Sequence, residues 1–186
     1  MRLDTRLEAL LLTLHLAALS LALAPPVFFG AVVAPTVFRV LPTRDLAGAL
    51  QSPILSKLCL MAEASFAVLF ATGWLLTARD APRMARALLT RLPVLGFFAA
   101  IAIRQLLIPP MDRIREEAPG LIDSLPASDP SRLLLDRYHR LSTGFFGLEI
   151  ASALLVLIVT ARLLAQPAET ARPVAAKEVP KILDLG

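Results

Sequence analysis

The sequence predicts an all-α integral membrane protein, a four-helix bundle with a short extramembrane helical segment between its third and fourth helices. Hydrophobic residues make up 56% of the 186-residue chain, and the mean hydropathy is +0.69, above what soluble domains carry. No charged residue stands between Glu8 and Arg39. A stretch of that kind would be expelled by water but is at home in hydrocarbon. Four apolar stretches are long enough for a bilayer core of roughly 30 Å, which takes about 20 helical residues.

The four predicted spans are 9–34, 58–78, 92–109 and 141–165. None shows the strict alternation of a barrel strand, and hydrocarbon admits only helices or closed barrels, because backbone polar groups there find no water. The first span, with Arg2 and Arg6 before it and Ala22-Leu23-Ala24 inside it, has features of a secretory signal. Its apolar character continues through Val27, Phe28, Phe29 and Val33, and Pro25 directly after Ala24 disfavours cleavage. It therefore reads as a membrane helix, with Pro25-Pro26 as a kink or break in it.

After the first span, Thr43 is placed to cap a short interfacial helix from Arg44 to Gln51, with Pro53 as its stop. The 78–91 connection holds Arg79, Arg83, Arg86 and Arg91 against the single acid Asp80, which predicts a cytoplasmic loop. Four crossings then put both termini on that side, by a slight excess of Lys and Arg, in the inner membrane if the source is bacterial. The segment 110–140 is mixed in charge and broken by Pro119, Pro126 and Pro130, as a surface segment would be. Asp129-Pro130 is a cap followed by a first turn, so the fourth helix is expected to start there and project above the bilayer. Residues 1–165 thus form the transmembrane domain, and 166–186, poor in large apolar residues, read as a flexible tail.

Charge excludes some function classes. The net charge of +4 and pI near 10.0 come from basic residues scattered between apolar runs, so no nucleic-acid surface is expected. The single cysteine, Cys59, lies in an apolar run and forms no internal disulfide. No Cys and His spacing suits a metal, no Gly-rich loop suits a phosphate, and no nucleophile elbow occurs. No cofactor is expected: a haem reading would need His15 and His139, which fall toward opposite faces. His15 reads as a hydrogen-bonded structural residue.

Charged side chains inside spans are costly, roughly 2.5 to 3.5 kcal/mol at a helix centre on insertion scales. Glu63, Arg104 and Glu149 are such residues, and counting along antiparallel helices puts all three in one leaflet. Helical spacing groups Ser142, Phe146, Glu149 and Ala153 on one stripe below His139, and Cys59, Glu63, Phe66 and Phe70 on another. Turned inward, these stripes make a candidate polar pocket of Glu63, Arg104, Glu149 and His139. Two readings follow: a site that binds or passes a small polar solute or ion, or a scaffold in which the charges pack helices and the protein acts through partner contacts. Beyond the lipid bilayer, the expected partner is a second copy or another protein.

The run Phe29-Gly30-Ala31-Val32-Val33-Ala34-Pro35-Thr36-Val37-Phe38 resembles the G-x-x-x-A-P-x-x-F signature of the transmembrane protein 205-like family, domain of unknown function 4149. Tyr138-His139-Arg140-Leu141-Ser142 resembles that family's His-containing start of its last helix. The resemblance implies a small four-helix membrane protein without an established activity, whose motif positions here are Gly30, Pro35, Phe38 and His139. Pro25-Pro26 departs from the pattern. Gly30 is expected to let a neighbouring helix approach closely, and Pro35 to end the span at the interface.

Overall fold

The structure, a computed structural model, describes residues 4–77 and 82–165. It contains four helices long and apolar enough to cross a membrane: α1 (Thr5–Val40), α2 (Arg44–Thr77), α3 (Arg83–Glu117) and α4 (Pro130–Leu164). Each packs on the next in sequence, and α1 closes the ring against α4. The protein is a multi-pass integral membrane four-helix bundle. The 78–81 part of the basic connection and the 166–186 tail lie outside the described residues.

Every helix is longer than its hydrophobic span, and in α1 and α2 the proline stops expected from sequence do not stop the chain. α2 begins at Arg44, with Leu46 N–H donating to Thr43 Oγ1 at 3.2 Å, but it runs through Pro53 to Thr77 without a break. The predicted short helix ending before Pro53 is therefore corrected. One lost backbone bond costs less than the packing gained by continuing one rod into the bundle. Pro25 and Pro26 likewise sit inside α1 and do not break it.

Pro35 does not end the first span either, since α1 continues to Val40. A wide π turn over Phe29–Val33 precedes it, with Ala34 N–H reaching back to Phe29 O. The same device recurs in α3, where the π turn Ala102–Leu107 precedes Pro109-Pro110 and Ile108 N–H reaches Ile103 O. A proline ring collides with the carbonyl four residues back, and inserting one residue into the turn relieves the collision while keeping the helix going. Both π turns lie near the same end of the bundle, since α1 and α3 run in one direction.

The fourth helix starts where expected. Asp129 Oδ1 accepts from Ser131 N–H at 2.8 Å, and Pro130 fills the first turn. The short helical segment before it is a single turn, Ile122–Ser124, and most of what precedes that turn belongs to α3.

Small residues let the helices close. Ala18, Ala22, Ala62, Ala99, Ala100 and Ala153 are all buried, around Phe66, Leu69, Ile103 and Val156. A Cβ on Gly73 would sit 2.6 Å from the Leu89 carbonyl oxygen, and one on Gly96 would run into the Phe66 ring. The outer faces present Leu14, Leu21, Phe28, Leu60, Phe98 and Leu155, the surface hydrocarbon would wet. Gly73→Ala and Gly96→Ala should each destabilise the bundle by about 1 to 3 kcal/mol through overpacking. Gly144→Ala and Gly147→Ala, which would meet nothing within 4 Å, should be neutral or slightly stabilising. Unfolding in graded detergent mixtures reads the difference.

Candidate functional site

The charged residues of the spans are held at one level by α2, α3 and α4. The π turn of α3 carries Arg104, and its guanidinium grips Glu63 of α2 in a fork: Nε donates to Oε1 at 2.6 Å and Nη2 to Oε2 at 2.7 Å. The Glu63 side chain is 10% exposed and that of Arg104 25%. Two parallel charge-assisted bonds are the strongest form such a pair takes. Arg104 also lies beside Gln105, whose side-chain oxygen, in the amide orientation its surroundings favour, accepts from Nη1 at 2.9 Å.

Glu149 of α4 does not share this fork. It is 1% exposed, and among the described residues its Oε2 has no hydrogen-bond partner. Cys59, buried on α2 one turn from Glu63, has both carboxyl groups and Arg104 as its charged neighbours. The structure thus joins Glu63 to Arg104 and leaves Glu149 beside them without a cation.

His139 stands apart from all three. It lines a cavity of about 680 Å³ at the end of the bundle where α1 and α3 finish and α2 and α4 begin, and neither Glu63, Arg104 nor Glu149 reaches that cavity. The floor is apolar, made by Phe29, Leu55, Ile108, Met111 and Phe146; the mouth carries Arg44, Arg115, Arg132, Asp45, Asp123 and Asp136. Of the motif positions, Gly30, Phe38 and His139 line it and Pro35 does not. Phe146 packs edge-on against Phe29, with ring centroids 6.0 Å apart and planes at 73°. A Cβ on Gly30 would meet the Phe146 ring at 3.4 Å, ordinary contact, so α4 approaches there through a side chain and not backbone to backbone.

The acids at the mouth are mostly committed to holding it together. Asp123 Oδ2 accepts from Arg44 N–H at 2.6 Å and so caps α2, while Asp45 Oδ2 accepts from Asp123 N–H at 3.3 Å. Asp112 takes Ser52 Oγ at 2.7 Å and Arg115 Nη1 at 2.9 Å. Arg132 Nη1 donates to Leu125 O at 2.8 Å. Arg115 is different, because its Nε is buried with no partner among the described residues. Its guanidinium lies over Gly48, where a Cβ would be 2.6 Å from Nη2. Sequence reasoning missed Arg115 by placing it on a surface segment; the signal was the pairing of Asp112 with Arg115 one turn on, opposite a glycine in α2.

His15 sits toward the other end, 1% exposed, with Nδ1 2.8 Å from Thr72 Oγ1 and Nε2 3.1 Å from Thr160 Oγ1. It bridges α1, α2 and α4, and both ring nitrogens are occupied. Among the described residues no group of three or more His, Cys, Asp and Glu is arranged to hold a metal ion.

With this geometry in view, comparison with known families places the chain. A model described as Domain of unknown function (DUF4149) matches residues 11–119. The chain belongs to that family. The matched region covers α1, α2 and α3 with both π turns and the Glu63–Arg104 pair, so α4 adds Glu149 and His139 from outside it. No curated protein matches the chain, and no solved structure does.

Burial, then the Arg115 guanidinium, holds His139 below its ordinary value of 6.5, with Asp136 opposing and Arg44 reinforcing. The imidazole is therefore neutral at pH 7. Because the folded value is the lower one, the unfolded chain binds the proton more readily as pH falls through 6.5, and folding stability declines slightly in that direction. The histidine NMR titration, with His139→Gln to assign the signal, should show a midpoint below 6.5 that moves up in Arg115→Gln.

Proposed function

We propose that this membrane protein binds a small amphiphile whose anionic head, a carboxylate or phosphate, is taken by Arg115 at the mouth of the cavity and whose apolar part lies on the Phe29, Ile108 and Phe146 floor. The observation that carries this reading is the buried, unpartnered Arg115 Nε on a cavity with an apolar floor. A buried donor without an acceptor costs about 1 to 3 kcal/mol, which a ligand oxygen would recover. Asp112 pairs with Nη1 of the same guanidinium and leaves Nε without an acceptor, while Asp123 and Asp45 accept backbone N–H groups.

The Glu63–Arg104 fork supports a packing role for those two residues beneath the site, which is the scaffold reading applied to that pair alone. The basic residues around 78–91 support a cytoplasmic location for that loop and for both termini, which opens the cavity to the opposite face of the membrane. Passage of a solute across the bilayer would call for a homo-oligomer, since four helices enclose little more than their own side chains.

The test uses the purified protein in dodecyl maltoside with lysophosphatidate, and monoacylglycerol of the same chain as the headless control, read by native mass spectrometry. Lysophosphatidate should bind, and Arg115→Gln should weaken it roughly ten- to a hundredfold, the loss of one to two charge-assisted bonds. Equal binding of both lipids, or binding unchanged in Arg115→Gln, would contradict the reading.

A further inference from the structure

Below the cavity lies a carboxyl group that neither the amphiphile site nor the ion pair uses. Glu149 is 1% exposed, and its Oε2 is without a partner among the described residues. The groups facing it are Glu63 and Cys59 from α2, with Arg104 of α3 held in the Glu63 fork. From α1 no charged side chain reaches this level, because none stands between Glu8 and Arg39. His15 is tied to Thr72 and Thr160. A carboxylate here would be an unpaired charge in hydrocarbon beside a second acid; the neutral carboxylic acid is not.

What lies above it is equally specific. Ser142 and Phe146 line the cavity, and Glu149 follows Phe146 on the same stripe of α4, about 4.5 Å deeper at 1.5 Å per residue. The Phe146 ring, edge-on to Phe29 across the helix interface, forms part of the cavity floor one turn above Glu149. Phe29 belongs to the π turn of α1, a local widening often found where a helix serves a site.

We propose that Glu149 is a proton-binding site within the membrane, loaded and unloaded through the cavity, with Phe146 as its gate. When the ring swings off Phe29, water from the cavity reaches the carboxyl. The O–H bond of Glu149 breaks, its electron pair stays on the carboxylate, and the proton leaves on that water toward the polar mouth where His139 stands; reloading is the reverse. No other reactant is needed. The site rests on the burial of Glu149 and the aromatic lid, and stands whether or not the cavity takes an anionic amphiphile.

The experiment is infrared spectroscopy of the protein in dodecyl maltoside, a detergent without a carbonyl of its own. The parent should show a protonated-carboxyl band that shifts in heavy water and fades as pH is raised. Glu149→Gln, neutral and of the same shape, should remove it, and Glu63→Gln should leave it. Phe146→Ala should speed its deuterium exchange at least tenfold, a readout that does not depend on the Glu149 variant folding. A band indifferent to Glu149→Gln, a Glu149 band that neither exchanges nor titrates, or exchange unchanged in Phe146→Ala would overturn the proposal.

Discussion

Hydrocarbon offers no partner to a polar group, so every donor, acceptor and charge this chain carries into the bilayer has to be answered from within the bundle. The Glu63–Arg104 fork is the most demanding case, with two oppositely charged groups buried or half-buried and joined by two short bonds. His15 obeys the same rule at the other end, where two threonines satisfy both ring nitrogens. Even the prolines obey it, since the π turns before Pro35 and Pro109 keep the backbone paired where an ordinary helix would have lost its bonds.

Two groups fail this test, and they are the ones proposed to meet a ligand head and a proton. Arg115 Nε and Glu149 Oε2 are buried without partners among the described residues. Arg115 lines the cavity at the end of the bundle with its guanidinium over Gly48, and Glu149 lies a turn beneath Phe146 of the floor. A guanidinium with one donor unspent suits an anionic head, and a buried acid without a cation suits a proton. The Glu63–Arg104 and Asp112–Arg115 pairs answer their charges within the bundle, while Arg115 Nε and Glu149 Oε2 are left without partners among the described residues.

How much of this was legible in the residues follows from what each signal measures. Hydrophobic length reports on the solvent around a helix, so the four spans and the all-α class followed from it directly, and Asp129-Pro130 marked the start of α4. Proline reports only a local cost. Pro53 and Pro35 were read as stops because the gain that offsets them, a longer rod packed along the bundle and a π turn to relieve the ring, is tertiary and invisible locally. Depth along antiparallel helices was readable for Glu63, Arg104 and Glu149. Which glutamate the arginine would take was not, because that depends on the rotation of each helix about its axis. Arg115 escaped for a related reason: with the third span ended at 109 and 110–140 taken as a surface segment, nothing suggested that α3 carries it back over Gly48.

Arg104 belongs to Glu63 and leaves Glu149 alone, a partition that double-mutant cycles measure. Arg104→Gln would be combined with Glu63→Gln in one cycle and with Glu149→Gln in another, reading unfolding free energy in mixed micelles. Arg104 and Glu63 should show a clear favourable coupling, moderated because the arginine is partly exposed, whereas Arg104 and Glu149 should be additive within error. A coupling to Glu149 as large as that to Glu63 would mean that one cation serves both acids, and the account of Glu149 as a free proton site would fall with it.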